Sequence, residues 1–496
     1  MKHLFDVLPA PRDADAHALQ DSTRTLTRDA LLQRVQMLAT TLRALHVRRV
    51  ALHADNGIGW VLTDLACQHA SLVCVPLPLF FTKQQWLHTV NACGIDALVT
   101  SSPEQFAAHF PTAAPEHQRL REYGLTLLVQ PAARDPLLPA GTGKVTFTSG
   151  STGAPKGVCL TTGQQLAQAM ALAHAVAIDA PRHLCLLPLA TLLENVAGVY
   201  APLLADGSVV LRSLVELGYA GSRLADPRKF LAAIDAAAPD TLILIPQMLQ
   251  FLVQAVQKGW KPPPLQFIAV GGARVSAQLI VEARRAGLPV YEGYGLSECA
   301  SVVSLNTPRA DRPGSAGKPL PHLSVTLDDG EILVSGNAML GYVGEARSWY
   351  RKRIATGDLG YLDSDGFLHI SGRSKNLLIS SYGRNIAPEW VESELLAAPA
   401  VAEAVVLGDA RPYCIALLTP ASPQLDDAVL AAAVAAANAR LPDYAHVKRW
   451  IRLSRPLAGQ AEFMTPAGKP RRDRIEQAWH ADVAALYAQT ETEENL

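Results

Sequence analysis

Hydroxyl side chains, glycines and one lysine are concentrated in the segment 145–157, Val-Thr-Phe-Thr-Ser-Gly-Ser-Thr-Gly-Ala-Pro-Lys-Gly. Glycine permits positive φ angles, so several backbone N–H groups can point to one place. Hydroxyl groups add donors there, and lysine adds a mobile positive charge. The segment therefore predicts a polyphosphate-binding loop, formed by Thr148, Ser149, Gly150, Ser151, Thr152, Gly153 and Lys156.

The spacing within this loop excludes three common alternatives. No Gly-Lys-Ser/Thr follows Gly150 or Gly153 at the offset of a Walker loop, and a dinucleotide fingerprint that begins at Gly141 meets Thr146 where it needs glycine. A nucleophile elbow centred on Ser149 would need glycine at position 151, which is serine. A flexible Gly/Ser surface loop is the remaining alternative.

The segment 292–298, Glu-Gly-Tyr-Gly-Leu-Ser-Glu, combines an aromatic ring, a hydroxyl and a carboxylate directly after a predicted strand. Tyr294 suits stacking on a nucleobase, Ser297 suits contact with a phosphate, and Glu298 suits coordination of magnesium. On its own, this segment is a weak signal.

Two further residues could bind a nucleotide or its reaction partner. Asp358 lies in Thr-Gly-Asp at the expected start of a hairpin, where an ionised carboxylate can accept both hydroxyls of a ribose; an Asx-turn is the structural alternative. Lys469 stands on a glycine-containing loop among other cations, with a solvated charged loop as its alternative. Between them, the segment 372–376, Gly-Arg-Ser-Lys-Asn, is the expected hinge.

Short apolar runs separated by helical segments predict the strands and helices that position these residues. The apolar positions between residues 27 and 45 recur every three or four residues, as on one face of a helix. The apolar runs that read as strands are 50–54, 71–76, 97–100, 183–187, 241–245, 265–270 and 290–293. We predict parallel sheets flanked by helices, with ligands bound beyond the carboxyl ends of the strands.

After about residue 314 the pattern changes. Asp-Gly turns at 329–330 and 365–366 predict antiparallel hairpins, and strands at 402–407 and 414–418 accompany helical segments. We therefore predict an α/β fold with a large N-terminal domain, 1–374, of parallel or mixed sheets flanked by helices. Its part from about 314 to 374 is a small β-barrel subdomain, and residues 375–496 form a small mobile α+β C-terminal domain.

Composition narrows the class of protein. A chain of 496 residues with 49% hydrophobic and 18% charged residues is typical of a folded protein with more than one domain. The formal net charge of −1 gives no electrostatic case for nucleic acid or an anionic membrane. Seven scattered cysteines without a Cys-x-x-Cys pair, no signal-peptide pattern and no transmembrane-length apolar run favour a cytoplasmic enzyme.

Together and in this order, the five segments resemble the adenylate-forming (AMP-binding) superfamily over nearly the whole chain. The segments 293–298 and 383–390 are most similar to those of bacterial medium- and long-chain fatty acyl-CoA synthetases. The resemblance implies that a carboxylate attacks the α-phosphate of ATP, releasing pyrophosphate, and that a thiol then displaces AMP. It implies ATP, Mg²⁺ and coenzyme A, or the phosphopantetheine of a carrier protein, as cofactors.

The resemblance also implies a role for each matching residue. Lys469 would bridge the attacking carboxylate and the α-phosphate, and Glu298 would hold magnesium; with Lys156 and Thr148 they form the implied catalytic set. The implied nucleotide-binding set adds Gly271, Gly272, Ala273, Glu292, Gly293, Tyr294, Gly295, Ser297, Asp358 and Arg373. A rotation about Lys375 would then withdraw Lys469 and bring the loop around Gly383 to line a pantetheine tunnel.

Two further residues, Thr191 and Glu194, belong to the segment expected to bind the acid. Thr191 stands where many relatives have histidine or an aromatic residue, so it either admits a bulkier acid or is a structural substitute. Glu194 is expected to be structural, closing a helical turn.

Three functions are compatible with these motifs: a fatty acyl-CoA synthetase, an acyl-adenylate ligase that loads a carrier protein or another nucleophile, and a nucleotide-binding protein without turnover. The first two share every motif. Because Lys156, Glu298, Asp358 and Lys469 are all present, the third is disfavoured.

Overall fold

The computed structural model describes residues 3–10, 12–13, 15–110, 112–113, 118–130, 135–148, 155–221, 223–465 and 468–493. Two large sheets dominate the chain up to about residue 342. Both are mixed, and the parallel strands at the centre of each confirm the predicted α/β fold.

The nine-stranded sheet carries the segment that contains Tyr294. In spatial order its strands are Lys318–Pro319, Ser301–Leu305, Val290–Leu296, Phe267–Val270, Thr241–Leu244, Arg182–Leu184, Ser208–Val210, His17–Gln20 and Thr25–Thr27. The six strands from Val290–Leu296 to His17–Gln20 run parallel, and the outer pairs are antiparallel. The carboxyl ends of the parallel strands therefore form one edge, where ligands are expected.

The eight-stranded sheet carries both ends of the predicted phosphate loop. In spatial order its strands are Gly341–Tyr342, Lys156–Leu160, Lys144–Thr148, Val73–Pro76, Arg49–His53, Ala97–Thr100, Thr126–Val129 and Thr112–Ala113. The pairs at its centre are parallel. Lys144–Thr148 and Lys156–Leu160 pair antiparallel, so the segment between them is a hairpin connection.

Helices cover these sheets and continue into the C-terminal part. The α-helices are Arg28–Ala44, Ile58–Ala70, Lys83–Cys93, Gln118–Arg121, Thr162–Val176, Ala201–Leu204, Pro227–Ala237, Pro246–Gln257, Ala277–Arg285, Pro388–Leu396, Asp427–Asn438, Arg472–Ala478 and His480–Glu493, and a π-helix spans Glu194–Tyr200. Helix Thr162–Val176 starts at once after the phosphate-loop hairpin because Thr161 and Gln164 form a reciprocal capping box.

The predicted β part corresponds to an antiparallel four-stranded sheet of Ser324–Asp328, Glu331–Ser335, Arg353–Leu362 and Leu368–Arg373. Asp358 lies within a ten-residue strand, and its pair with Arg373 is the first of the hairpin with Leu368–Arg373, as the sequence predicts. A register shift between Leu359 and Gly360 interrupts the ladder beside it, which a short Thr-Gly-Asp motif does not reveal.

Residues after 377 have hydrophobic cores of their own. The hairpin Leu378–Ile379 with Asn385–Ile386 precedes a three-stranded sheet of Val401–Leu407, Cys414–Pro420 and Val447–Arg452. Two buried clusters, one around Val391 and Leu418 and one around Ile415 and Ile475, contain only residues from this part. The α+β character is as predicted, and the boundary between 374 and 375 stays a prediction.

Candidate active site

The predicted phosphate loop begins and ends at directly opposed residues. Thr148 and Lys156 are register partners at the end of the hairpin that the loop connects. Ser149, Gly150, Ser151, Thr152 and Gly153 lie outside the described residues. The geometry therefore places the two ends of the loop at one point, and the phosphate contacts of the residues between them stay a prediction.

Lys156 is connected to Glu298 through Tyr342. The Lys156 ammonium lies 3.1 Å from Glu345 Oε1 and 4.9 Å from the centre of the Tyr342 ring. The Tyr342 hydroxyl donates to Glu298 Oε1 at 2.9 Å. Sequence reasoning missed Tyr342 and Glu345, because Gly-Tyr-Val-Gly-Glu has no pattern typical of a catalytic site. The phosphate-loop lysine and the predicted magnesium ligand thus share one neighbour.

Asp358 is held by two donors from different segments. Tyr294 Oη donates to its Oδ2 and Arg373 Nε to its Oδ1, both at 2.7 Å. Only 5% of Asp358 is exposed. Burial first, and then the Asp358 carboxylate, raise the pKa of the Tyr294 hydroxyl, so Tyr294 remains a neutral donor. The predicted base-binding and ribose-binding residues therefore form one hydrogen-bonded unit.

Glycine is required where the nucleotide-binding segments cross. A Cβ at Gly271 would lie 2.9 Å from the carbonyl oxygen of Gly293, and a Cβ at Gly295 would lie 1.8 Å from that of Ser301. Gly272 has φ +79° and, with Ala273, is exposed. The backbone at Gly271 therefore packs directly on the segment that carries Tyr294, whereas Gly272 and Ala273 are exposed to solvent.

Lys469 lies within electrostatic reach of this unit. Burial by the surrounding protein, followed by the Arg373 charge, lowers the pKa of its ammonium, while Asp358, Glu389 and Glu298 act in the opposite direction. The loop is closed by mutual bonds: Lys469 N donates to Thr465 Oγ1 and Thr465 N donates to Lys469 O. The predicted catalytic lysine thus shares one region with Asp358 and Glu298.

The loop of Gly383 belongs to the C-terminal part. It turns with φ +72° at Gly383, and its neighbours bond within the C-terminal part, Ser381 N to Arg411 O and Ile379 N to Asp409 Oδ1. Lys375 is exposed in the single turn Ser374–Asn376, between the four-stranded sheet and the C-terminal part. In the structure, Lys469 therefore lies within electrostatic reach of Asp358 and Glu298, and the Gly383 loop is hydrogen-bonded to its own domain.

Glu292 lies within electrostatic reach of Arg274 at the edge of the site, which the sequence pattern did not indicate. Burial raises the pKa of Glu292 to about 8, and the Arg274 charge partly offsets this. Burial also lowers the pKa of Arg274. Ser297 follows in the single turn Ser297–Cys299, which also carries Glu298.

An apolar cavity of about 70 Å³ lies between helix Thr162–Val176, the π-helix and the nine-stranded sheet. Leu193 and Ala197 line one wall, and Ala269 and Val302 line another. Ala269 is two residues before Gly271, and Val302 is the register partner of Gly295. The cavity therefore extends inward from the predicted nucleotide-binding segments. Its polar lining residues are His183 and Thr241, which hydrogen-bond to each other at 2.9 Å.

Glu194 is fully buried beside this cavity. Its Oε1 lies 3.1 Å from His183 Nε2, and Cys185 completes a group of three potential metal-ligating side chains. The hydrogen bond accounts for the His–Glu approach without a metal. Thr191 donates its hydroxyl to Pro188 O at 2.7 Å, so its side chain is engaged in its own turn.

A second buried polar group, the Lys144 cluster, lies on the opposite side of the π-helix. It consists of Lys144, Asp64, Asn195, Tyr200 and Gln68. The Lys144 ammonium is 2.8 Å from Asp64 Oδ1 and donates to Tyr200 Oη at 2.9 Å, and Asn195 Nδ2 donates to Asp64 Oδ2 at 3.0 Å. Lys144 and Asp64 are essentially inaccessible to water. Lys144 also starts the strand that leads to the phosphate loop, which no sequence signal indicated.

Comparison with known proteins agrees with this geometry. The family AMP-binding enzyme matches residues 9–343, and the AMP-binding enzyme C-terminal domain matches residues 375–491. The chain is 33% identical over 250 residues to a long-chain-fatty-acid–CoA ligase of Mycobacterium bovis, covering 44% of this chain and 41% of that protein. It therefore matches less than half of that relative's length.

Two further matches extend over most of the chain. A feruloyl-CoA synthase of an Amycolatopsis species is 31% identical over 427 residues, which is 79% of this chain and 82% of that protein. The solved structure of o-succinylbenzoate coenzyme A synthetase from Bacillus subtilis, in complex with ATP and magnesium ion, has a TM-score of 0.73 at 26% identity. It covers 93% of this chain and 96% of that one.

Proposed function

We propose, from the premise that the chain belongs to the AMP-binding enzyme family, that it joins a carboxylic acid to the thiol of coenzyme A through an acyl-adenylate. One observation carries this proposal. Lys156 contacts Tyr342, which donates to Glu298, and Arg373 donates to Asp358. The charges of Asp358, Glu298 and Arg373 all act on the Lys469 ammonium. A protein that only binds nucleotides has no need for Lys469.

The residues of the site explain how the first step would be promoted. Asp358, fixed by two donors, would accept the ribose hydroxyls, with Tyr294 and the segment Gly271–Ala273 on either side of adenine. Lys469 would bring the acid and the α-phosphate together, and positive charge aimed at the phosphates lowers the barrier to attack. Because these groups are positioned before the reaction, little reorganisation is needed.

Glu298 fits a magnesium ion by its chemistry. Its Oε1 is fixed by Tyr342, and no described residue donates a hydrogen bond to its Oε2. Carboxylate oxygen is the ligand that Mg²⁺ prefers in nucleotide sites. When bound, the ion would neutralise charge on the phosphates.

The acid that we propose is a fatty acid with a short or medium-length tail. The cavity beside the site is lined by apolar side chains, and its two polar members bond to each other. A second carboxylate or a phenol hydroxyl would be buried there without a partner, which costs about 1–3 kcal/mol or more. The cavity measures about 70 Å³, which favours a short or medium-length tail over a long one.

The proposal includes the domain boundary at 374/375, the hinge at Lys375 and the roles given above to the site residues. We also propose a cytoplasmic setting, which the seven free, buried thiols support. No described helix has the length and apolar character to span a bilayer.

The function is tested by acid-dependent exchange of labelled pyrophosphate into ATP, over a panel of saturated fatty acids of increasing length, dicarboxylic aryl acids and hydroxylated aryl acids. We expect exchange with short and medium fatty acids, and acceleration of AMP release by coenzyme A. Exchange confined to aryl acids would refute the acid, release of AMP without response to coenzyme A would refute the acceptor, and no exchange at all would refute adenylation.

A further inference from the structure

Arg274 joins three parts of the molecule through one side chain. It follows directly after the predicted adenine segment Gly271–Ala273. Its Nη1 donates to Ile370 O, in the four-stranded sheet, at 2.6 Å. Its guanidinium carbon lies 5.7 Å from the centre of the Trp390 ring, in the C-terminal helix Pro388–Leu396. No other role in the proposed reaction accounts for this residue.

The same helix touches the N-terminal part at two further points. Ser276 Oγ donates to Glu394 Oε2 at 3.2 Å, and Gln250 Nε2 donates to Leu396 O at 2.6 Å. These two bonds hold the helix against the N-terminal part near Arg274. Arg274 differs from them because its backbone is continuous with the segment on which adenine would lie.

The surroundings of Arg274 depend on the helix remaining docked. Glu292, Glu394 and Glu389 all stabilise its positive charge against the cost of burial. Two of these carboxylates, and the Trp390 ring, belong to the C-terminal part. If the helix moved away, the guanidinium would lose its aromatic partner and two of its three stabilising charges, and a contact of this kind contributes most where water is excluded.

We propose that Arg274 is a positioning residue that holds the C-terminal domain in its adenylate-forming orientation and makes that orientation respond to the occupied adenine segment. The inference rests on the proposed function. It agrees with the structure, in which the charges of Asp358 and Glu298 act on Lys469 and the Gly383 loop is hydrogen-bonded within the C-terminal part. The thioester-forming step needs the other orientation and therefore does not need the Arg274–Trp390 contact.

The first test compares the two half-reactions in Arg274→Ala. We expect acid-dependent pyrophosphate exchange to fall about tenfold, the equivalent of about 1.4 kcal/mol, which lies within the range of a desolvated cation–π contact. Thioester formation from supplied acyl-adenylate should change less than twofold. Arg285→Ala removes an exposed arginine nearby and should leave both rates unchanged. An equal loss in both half-reactions, or no loss in either, would overturn the proposal.

The second test needs no turnover, so it remains informative if the proposed function fails. Since all seven native cysteines are buried, dyes can be attached selectively to cysteines introduced at the exposed positions Lys258 and Ala432. With AMP added, we expect Arg274→Ala to populate the docked interdye distance less than the unsubstituted labelled protein does. Identical distance distributions would refute the positioning role.

A double variant then asks whether Arg274 acts through Trp390. Trp390→Leu should reproduce the distance change of Arg274→Ala, and the two substitutions together should add less than the sum of their separate effects. Fully additive effects would show that the two residues act independently and would contradict the proposal.

Discussion

Removal of the Lys469 ammonium separates the two proposed half-reactions most sharply. The charges of Asp358, Glu389 and Glu298 stabilise the ammonium, and the Arg373 charge opposes it. In the adenylation step the ammonium would make two charge-assisted hydrogen bonds, one to the acid and one to the α-phosphate. Each contributes about 1.5–3 kcal/mol, so Lys469→Ala should lose about 3–6 kcal/mol of barrier lowering. This corresponds to roughly a 10²- to 10⁴-fold slower adenylation.

The assay is pyrophosphate exchange for the first step and thioester formation from synthetic acyl-adenylate and coenzyme A for the second. We expect the variant to lose the first and to retain the second within about threefold. Arg474→Ala is the matched control, because it removes one exposed positive charge from the neighbouring helix Arg472–Ala478. A comparable loss in both steps, or full adenylation without the ammonium, would show that Lys469 does not bridge acid and phosphate.

Four other outcomes are expected. Lys375→Pro should impair thioester formation more than adenylation, because a fixed φ restricts the rotation; the opposite ratio would contradict the hinge. Asp358→Ala should raise the KM for ATP at least tenfold, measured by exchange, since two charge-assisted contacts to ribose are lost; an unchanged KM would count against the ribose site. Ala197→Phe should shift acid preference towards shorter tails by filling the cavity, and an unaltered length profile would place the tail elsewhere. The pKa of Glu292 is about 8 in the folded protein and 4.5 in the unfolded chain. The unfolded chain therefore releases this proton first, and the free energy of unfolding falls as pH rises from about 5 to 8. Glu292→Gln should therefore gain in Tm relative to the unsubstituted protein over that window, and a constant difference in Tm would refute the assignment.

The parallel strands could be predicted because burial on both faces produces short, wholly apolar runs. Ala97–Thr100 is observed with its predicted bounds, and the helix Arg28–Ala44 lies within the predicted segment. Membership of the AMP-binding enzyme family was likewise predictable, since the phosphate-loop composition and the order of the later motifs can be read from the sequence.

Contacts between distant segments could not be predicted in this way. Tyr294 and Asp358 are 64 positions apart, and nothing near either residue indicates the other. Tyr342 contributes by its place on an edge strand, where its hydroxyl reaches Glu298. Lys144 reads as an ordinary strand residue, although its ammonium lies in the interior. In each case a side chain acquires its role from its neighbour in space, which a single sequence does not encode visibly.

The Lys144 cluster restricts where the acid preference of this protein can evolve. Asn195 and Tyr200 share the π-helix with Ala197, but they complete the hydrogen bonding of a dehydrated ion pair. Loss of a hydrogen-bond partner from a buried charged group costs about 1–3 kcal/mol or more, a sizeable part of a protein's total stability. The alanines on the cavity side, Ala197 and Ala201, can vary at far smaller risk. Lineages or laboratory libraries that acquire new acids should therefore accumulate changes at the alanines and retain the asparagine and the tyrosine.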